Sequence, residues 1–311
     1  MSRFELSLLA MSLLVSLTTA CTSQDSPTPI NTSRTEVVQQ RDPTQGNRIR
    51  IALGGMITPK EGLAYYREFL EYLGRQIGQP VEYVDAEDYA EINRKLETGE
   101  LEAAFVCSGP YVDGKEKFGL EFIAAPQAYG EKVYYSYFIV PSKSQVTSLD
   151  GLKGKSFAFT DPLSNSGKLV PEYTLARMGT TPERFFSKIS YSGSHDKSIK
   201  AVSEGLVDGA AVDSLIWEYK NQKYPEQTAN TRIIFKSKPY APPPFVVRPG
   251  RDPAIREKLR QVMLNAHKSP EGKVILSKMM IDRFVPLNDS AYDSVRQIKL
   301  WVDKPKPGKP R

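Results

Sequence analysis

Short apolar runs alternate with segments of helical periodicity from Arg50 onward, and this alternation limits the possible folds more than any other feature. Ile51–Leu53 and Val81–Val84 are strand candidates. Between them, Pro59–Ile77 places a row of apolar residues on one helical face: Leu63, Tyr66, Leu70 and Leu73. Strands that alternate with helices build βαβ units, in which helices cover the faces of a largely parallel sheet. The sequence therefore predicts an α/β protein.

Two segments interrupt the alternation. Val133–Val140 is a long strand-like run that is rich in Tyr and Phe and ends at Pro141. Residues 238–244 read Lys-Pro-Tyr-Ala-Pro-Pro-Pro, which fits neither a helix nor a central strand because proline lacks the N–H donor. We interpret both segments as crossovers between two α/β lobes, which would form a hinged clamshell. The predicted division is lobe 1 at 49–140 and 241–302, and lobe 2 at 141–240.

The apolar segment Leu6–Ala20 is too short to cross a bilayer comfortably and ends in small residues just before Cys21. We interpret residues 1–20 as an export signal. The cysteine resembles the lipobox of bacterial lipoproteins, although Leu17 lies four residues before it instead of the usual three. That resemblance implies that Cys21 is lipidated and becomes the first mature residue. A plain secretory signal with an incidental cysteine is the alternative.

Residues 21–48 are rich in Ser, Thr, Pro, Gln and Asn and are predicted to form a disordered tether. Such a tether holds a folded body away from the membrane to which its lipid is anchored. The sequence therefore predicts a membrane-anchored lipoprotein in the periplasm or at the cell surface.

The charge and cysteine content exclude several classes of protein. The formal net charge is +6, but Lys304, Lys306, Lys309 and Arg311 against Asp303 place +3 of it in a basic tail over 303–311. No stripe of Lys and Arg with interleaved aromatics remains, so nucleic acid is not an expected partner. Two cysteines give no disulfide framework, and HExxH and CxxC metal motifs are absent from the sequence. We expect a monomer without metal or cofactor.

The segment Thr160–Pro171 is the strongest functional signal. It follows the apolar run Ser156–Phe159 and contains Ser164-Asn165-Ser166-Gly167 at the predicted start of a helix. Helix N-termini offer unpaired N–H groups and a partial positive charge, so these amides and the two serine hydroxyls can hold the oxygens of an anion. Gly167 would let the backbone come close. The alternative is an ordinary N-cap turn.

Several motifs occur together in one order: Tyr72–Val81 followed by Asp88 and Tyr89, Gly99–Phe105 leading into Ser108–Tyr111, Leu149–Lys155 running into Asp161–Gly167, and Gly193–Asp196 with Gly205–Ala210 behind it. With them the sequence resembles the substrate-binding proteins of bacterial phosphonate, phosphite and phosphate importers of the ATP-binding-cassette (ABC) type. The resemblance covers about residues 49–300. It implies a type II periplasmic-binding-protein clamshell, in which each lobe is a mainly parallel sheet flanked by helices. The ligand would be enclosed between the lobes and handed to a membrane permease.

The resemblance also implies roles for individual residues. Ser164, Asn165, Ser166 and Gly167 would line the anion pocket, and His195 would donate a hydrogen bond to an anion oxygen, which we expect to be charge-assisted. Asp213 would face a ligand donor, either an amine or a protonated oxygen, although it could instead cap the helix that begins at Ser214. In the first lobe the implied pocket residues are Tyr111, Met56, Ile57 and Thr58. This chain has Asn165 where the family commonly has a hydroxyl, which leaves the identity of the oxyanion open.

Three functions remain possible from the sequence. The leading one is a transport receptor that performs no chemistry. An enzyme could assemble Ser164 or Ser166 with His195 and Asp213 into a hydrolytic triad, but no Gly-x-Ser-x-Gly elbow precedes those serines. A binding protein that reports its ligand to a membrane signalling partner would have the same clamshell. Cys107 is expected to be a buried small side chain and not a reactive thiol.

Overall fold

Two β-sheets organise residues 48–54 and 59–303, which are the part of the chain that the computed structural model describes. The strands are β1 (Ile49–Leu53), β2 (Val81–Tyr83), β3 (Ala103–Phe105), β4 (Glu121–Gln127), β5 (Ser136–Pro141), β6 (Ser156–Phe159), β7 (Lys188–Tyr191), β8 (Gly209–Asp213), β9 (Thr231–Lys236), β10 (Phe245–Val247) and β11 (Arg283–Val285). The α-helices are α1 (Pro59–Ile77), α2 (Tyr89–Thr98), α3 (Ser108–Phe118), α4 (Val170–Arg177), α5 (Pro182–Phe185), α6 (His195–Ser203), α7 (Ser214–Lys223), α8 (Pro225–Thr228), α9 (Pro253–Asn265), α10 (Pro270–Lys278) and α11 (Asp293–Asp303). A π-helix, Asn165–Leu169, leads directly into α4.

The first sheet has the strand order β11-β4-β10-β3-β1-β2. Its strands β2, β1 and β3 are parallel neighbours, while β10 is antiparallel to both β3 and β4. Successive residues of a strand face opposite sides of the sheet, so Ile51 packs with α1 and α9 on one side and Ala52 with α2 and α3 on the other. These two layers of helices bury the sheet of the first lobe.

The second sheet has the order β7-β6-β8-β5-β9. Strands β7, β6 and β8 are parallel neighbours, and β5 lies antiparallel between β8 and β9. Both sheets are thus mixed: β4 and β10 of the first sheet and β5 of the second each run antiparallel to both of their neighbours. The parallel strands of this sheet all end at the same edge, and that edge carries the residues described below.

The segments that connect the two sheets pair with each other. Tyr134 and Tyr240 exchange backbone hydrogen bonds of 2.9 Å in both directions. Residues from 136 onward, which the sequence analysis placed in the first lobe up to 140, belong to the second sheet as β5. The apolar run over 133–140 therefore contains both the connection and the first strand of the second lobe.

Helix α3 was not predicted from the sequence, because Gly109, Pro110 and Gly114 lower helix propensity. Proline is tolerated in the first helical turn, where its missing N–H has no partner in any case. The C-terminal helix α11 contacts α3 of the first lobe and α4 of the second. Within the described residues, no helix combines the length and apolar character that crossing a membrane requires.

Candidate functional site

Polar residues collect where the parallel strands of the second sheet end. The loop after β6 carries Ser164, Asn165 and Ser166, while His195 begins α6 shortly after β7, and Asp213 ends β8. All of these side chains are completely buried. The carboxyl ends of parallel strands meet at one edge, which is where ligands bind in open α/β sheets. The sequence-predicted residues of the second lobe are thus brought together.

Ser164 is the N-cap of the π-helix Asn165–Leu169, in the segment that follows β6. Its Oγ accepts a hydrogen bond from the Gly167 backbone N–H at 3.0 Å. Gly167 is required by a close approach, since a Cβ there would lie 2.3 Å from Thr160 Oγ1. The N-cap turn proposed as the alternative is therefore real, and it shapes the loop that presents Asn165 and Ser166.

The ring of His195 is fixed as a neutral donor. Its Nδ1 accepts a hydrogen bond from the Asp213 backbone N–H at 3.0 Å, so the proton of the ring resides on Nε2. Nε2 lies 3.4 Å from Ser164 Oγ. Burial lowers the pKa of His195 from 6.5 to about 3. The expected charge-assisted donor is thus corrected to an uncharged one, because desolvation of the imidazolium prevents protonation near neutral pH.

Asp213 both caps a helix and offers a free oxygen. Its Oδ1 accepts from the Leu215 backbone N–H at 2.7 Å, and its Oδ2 has no hydrogen-bond partner among the described residues. Burial raises the pKa of this carboxyl from 3.8 to about 7, although the N–H groups of Leu215 and Ile216 oppose the shift. Asp213 therefore combines the two roles that the sequence left open. Its Oδ1 caps helix α7, and its Oδ2 is left to face a donor of the ligand.

Several buried polar atoms on neighbouring elements have no hydrogen-bond partner in the described part of the chain: Asn165 Oδ1, Ser166 Oγ, Ser194 Oγ, Asp213 Oδ2 and Tyr89 Oη. Buried polar groups in native proteins are almost always hydrogen-bonded, and an unpaired one costs about 1–3 kcal/mol. Hydroxyl and amide groups together with one carboxyl suit a small polar ligand that carries both acceptors and a donor. The residues present therefore fit an oxyanion that retains a proton.

The first lobe contributes two tyrosines that the sequence analysis missed. Tyr134 Oη accepts from Asn165 Nδ2 at 2.9 Å and from Ser108 Oγ at 3.3 Å. Tyr89 begins α2; burial raises the pKa of its hydroxyl, and the carboxyl groups of Asp161 and Asp213 raise it further. Tyr89 could have been found from its place directly after the N-cap Asp88, and Tyr134 from its place in the connecting segment.

The two lobes are in direct contact around this cluster. The backbone N–H at the start of α2, that of Tyr89, donates to Asp161 Oδ2 of the second lobe at 3.1 Å. At the start of α3, a Cβ on Gly109 would lie 2.2 Å from the Leu163 carbonyl oxygen. The polar cluster is therefore enclosed from both sides.

The structure does not bring Tyr111 to the cluster, which corrects the expectation that it closes the pocket. Its hydroxyl donates to Asp289 Oδ1 at 2.5 Å, and its ring contacts Phe122 and Tyr292. The direction of α3 points this side chain toward the C-terminal segment. Met56, Ile57 and Thr58 lie outside the described residues. Cys107 is fully buried, and burial raises the pKa of its thiol, which opposes formation of a reactive thiolate.

The geometry contradicts the hydrolytic triad. In a triad the carboxylate accepts from Nδ1–H, and Nε2 accepts the proton of the serine. Here Nδ1 accepts from a backbone N–H, so Nε2 already carries the proton and cannot act as the base. The Asp213 carboxylate binds the amides at the start of α7 instead.

Comparisons with known proteins identify relatives of the whole folded body. Residues 56–292 match the family described as the periplasmic substrate-binding protein of the phosphonate ABC transporter. The chain is 25% identical over 248 residues to a probable ABC transporter phosphite binding protein, PhnD1, of Prochlorococcus marinus, covering 76% of this chain and 83% of that one. It is 27% identical over 260 residues to the phosphate-import protein PhnD of Mycolicibacterium smegmatis, covering 76% and 79%.

The fold is also that of a solved binding protein. The crystal structure of Prochlorococcus marinus PhnD1 in complex with methylphosphonate superposes with a TM-score of 0.75 at 23% identity, covering 83% of this chain and 98% of that one. The type II clamshell predicted from the sequence is thereby confirmed. These relatives are binding proteins of transport systems and not enzymes. The chain therefore belongs to the family of periplasmic substrate-binding proteins of phosphonate ABC transporters.

Proposed function

We propose that this protein captures a small phosphorus oxyanion between its lobes and delivers it to an ABC importer. The observation that carries the proposal is the enclosed cluster of buried polar atoms without partners at the edge of the second sheet. The relatives named above bind or import phosphite, phosphate and methylphosphonate, which share a tetrahedral phosphorus centre with anionic oxygens. Family membership favours a transport partner over a signalling partner.

Recognition would rely on uncharged donors. The His195 Nε2–H, the hydroxyls of Ser164, Ser166 and Tyr89, and the amides at the helix starts would replace the hydration shell of the anion. Asp213 Oδ2 would accept the proton that the ligand retains, or an ammonium group of the ligand. Because the donors of the second lobe are fixed by the fold before the ligand arrives, little ordering of these side chains is required on binding.

Isothermal titration of the purified protein tests this proposal. Phosphate, phosphite, methylphosphonate, 2-aminoethylphosphonate and sulfate would be titrated in turn. We expect one-to-one binding of at least one phosphorus oxyanion and no comparable binding of sulfate, which carries no proton for Asp213 at neutral pH. Absence of binding by all the phosphorus compounds would reject the proposal.

We further propose that Cys21 carries a lipid that anchors the protein, with residues 21–48 as the tether and a monomeric body. Metabolic labelling with a fatty-acid analogue should mark the protein and should fail for Cys21→Ala, which should also appear in the soluble fraction. Thr22→Ala is the matched control and should stay at the membrane. A labelled Cys21→Ala protein would contradict the anchor.

The monomeric state is tested separately: light scattering during size-exclusion chromatography should give the mass of one chain.

A further inference from the structure

One short turn of the second lobe, residues 161–163, contacts the starts of two helices of the first lobe. Asp161 lies in the loop after β6 and is 1% exposed. Its Oδ1 accepts from the Leu163 backbone N–H at 2.7 Å, and its Oδ2 accepts from the Tyr89 backbone N–H of α2 at 3.1 Å. The Leu163 carbonyl oxygen lies against Gly109 of α3, where a Cβ would be 2.2 Å away. One buried carboxylate therefore accepts hydrogen bonds from both lobes.

The same turn leads into the segment that the function proposed above assigns to the anion. The Ser164 backbone N–H donates to the Asp161 carbonyl oxygen at 3.0 Å, and Ser164 is the N-cap of the π-helix Asn165–Leu169. A side-chain oxygen that accepts from the N–H two residues later forms an Asx turn, which is a local structure. The Oδ1 contact therefore belongs to the second lobe alone. The Oδ2 contact requires that the two lobes be close together.

The Tyr89 N–H needs an acceptor from outside its own helix. It lies in the first turn of α2, where backbone N–H groups have no intrahelical partner. The N-cap of this helix, Asp88, accepts from the Glu91 N–H at 2.8 Å, which leaves the Tyr89 N–H to Asp161. The start of a helix also carries partial positive charge, which attracts a carboxylate. When the lobes separate, water must replace Asp161 at this N–H.

A carboxylate can satisfy both N–H groups, but its isosteric amide cannot. Each carboxylate oxygen is an acceptor, whereas the side chain of asparagine offers one acceptor oxygen and one NH₂ donor. With asparagine at position 161, the N–H of either Leu163 or Tyr89 would face a donor, whichever way the amide turns. Burial raises the pKa of the Asp161 carboxyl, and these two N–H groups oppose that shift. Both N–H groups therefore stabilise the ionised carboxylate.

We propose that Asp161 is a positioning residue for ligand capture, because it joins the anion-binding segment of the second lobe to α2 of the first and so stabilises the closed form. Both of its oxygens are occupied, so it acts on a ligand only through the contact between the lobes. A contact that favours the closed form raises the affinity for any ligand that this form encloses. The effect on affinity rests on the proposed function, whereas the contact itself does not.

Two variants at the start of α2 test this inference. Asp161→Asn removes a negative charge and an acceptor that crosses between the lobes. Asp88→Asn is the matched control, since it removes a negative charge from the same helix start and keeps an N-cap oxygen. Titration calorimetry of the full protein with phosphate, phosphite and methylphosphonate should give a Kd about tenfold higher for Asp161→Asn, because hydrogen bonds to charged groups are among the stronger ones. Asp88→Asn should stay within about twofold of the native protein.

A second substitution guards against a folding defect of the first. Asp161→Ser keeps an acceptor for the Leu163 N–H on a shorter side chain, so it should preserve the turn and weaken binding as Asp161→Asn does. Thermal unfolding followed by circular dichroism checks that the variants are folded. Equal Kd values of Asp161→Asn and Asp88→Asn for every compound that the native protein binds would overturn the inference.

Exchange of the Tyr89 amide proton with water, measured by NMR, tests the contact between the lobes directly. We expect faster exchange at Tyr89 in Asp161→Asn than in Asp88→Asn. The Ile92 amide, which donates to the Asp88 carbonyl oxygen within the first lobe, should exchange equally in both. Equal exchange at Tyr89 in the two variants would overturn the inference. If the native protein bound none of the three compounds, the proposed function would be rejected, and the exchange at Tyr89 would still decide whether Asp161 joins the lobes.

Discussion

At the scale of single residues, the proposed selectivity for an anion depends on where protons reside. His195 holds its proton on Nε2 because Nδ1 accepts from the Asp213 N–H. Asp213 takes up a proton near neutral pH because burial raises its pKa to about 7. In the proposed site an anion would be met by one fixed neutral donor and by one carboxyl that can change its protonation state. In its ionised state this carboxyl would favour an anion that retains a proton.

Replacing His195 by Ala should weaken binding of the phosphorus oxyanion roughly 10- to 100-fold, because a hydrogen bond to a charged group contributes about 1.5–3 kcal/mol. Titration calorimetry measures the loss, and circular dichroism checks that the variant is folded. His267→Ala is the matched control, since His267 lies in the 3₁₀ helix Ala266–Lys268 and lines no part of the polar cluster. A folded His195→Ala protein with unchanged affinity would remove this residue from the site.

Asp213 should make stability depend on pH. Its folded pKa of about 7 lies above the ordinary 3.8, so its stabilising contribution is fully present below pH 3.8 and is lost as pH rises to about 7. Asp213→Asn, which keeps the N-cap oxygen, should therefore exceed the native protein in free energy of unfolding by up to about 4 kcal/mol at pH 8.

Denaturant unfolding at several pH values, in buffers free of phosphorus oxyanions, measures this difference. It should be near zero at pH 4, grow up to pH 7 and stay constant above that. His195, whose pKa is lowered to about 3, makes the free energy of unfolding depend on pH in the opposite direction. Both proteins contain His195, so its contribution cancels when their stabilities are compared. An equal stability of the two proteins at pH 8 would contradict the raised pKa.

At the scale of elements, the helix starts that face each other across the lobes depend on close backbone contact. Gly109→Ala should weaken ligand binding by about tenfold, because its Cβ would lie 2.2 Å from the Leu163 carbonyl oxygen and overpacking costs about 1–3 kcal/mol. Leu206→Ala is the control, since the Leu206 side chain is 70% exposed and its truncation adds no atom to the lobe contact. Affinity measured by calorimetry should fall for the first variant only. Similar affinities of both variants would mean that closure does not need this contact.

The sequence predicted those elements whose pattern is local. The periodicity of 59–77 placed α1 correctly, and the apolar runs located most strands. Helix α3 was missed because Gly109 and Pro110 lower the helix propensity of its sequence. Both residues are tolerated because they lie in the first turn, which contacts the second lobe. Tyr89 and Tyr134 were not predicted to reach the polar cluster, and Tyr111 was predicted to reach it but does not. The reason is the same for all three: the direction of a side chain at a lobe interface is set by packing between residues that are distant in sequence.

At the scale of the whole molecule, closure should be visible through the C-terminal helix. Trp301 on α11 contacts Tyr173 on α4 of the second lobe, with ring centroids 5.1 Å apart, while α11 also packs on α3 of the first lobe. Trp217, the other tryptophan, stays within the second lobe, where it contacts Tyr137 and donates to Thr231 Oγ1. Separation of the lobes would alter the surroundings of Trp301 and leave those of Trp217 unchanged.

We therefore expect ligand addition to change the tryptophan fluorescence of the native protein and of Trp217→Phe, but not of Trp301→Phe. Because ligand and closure are linked, the ligand concentration at half-change should equal the Kd from calorimetry. A ligand-dependent signal that survives in Trp301→Phe and disappears in Trp217→Phe would show that α11 does not report closure. The lobes would then move about the paired segments at Tyr134 and Tyr240 without separating α11 from α4.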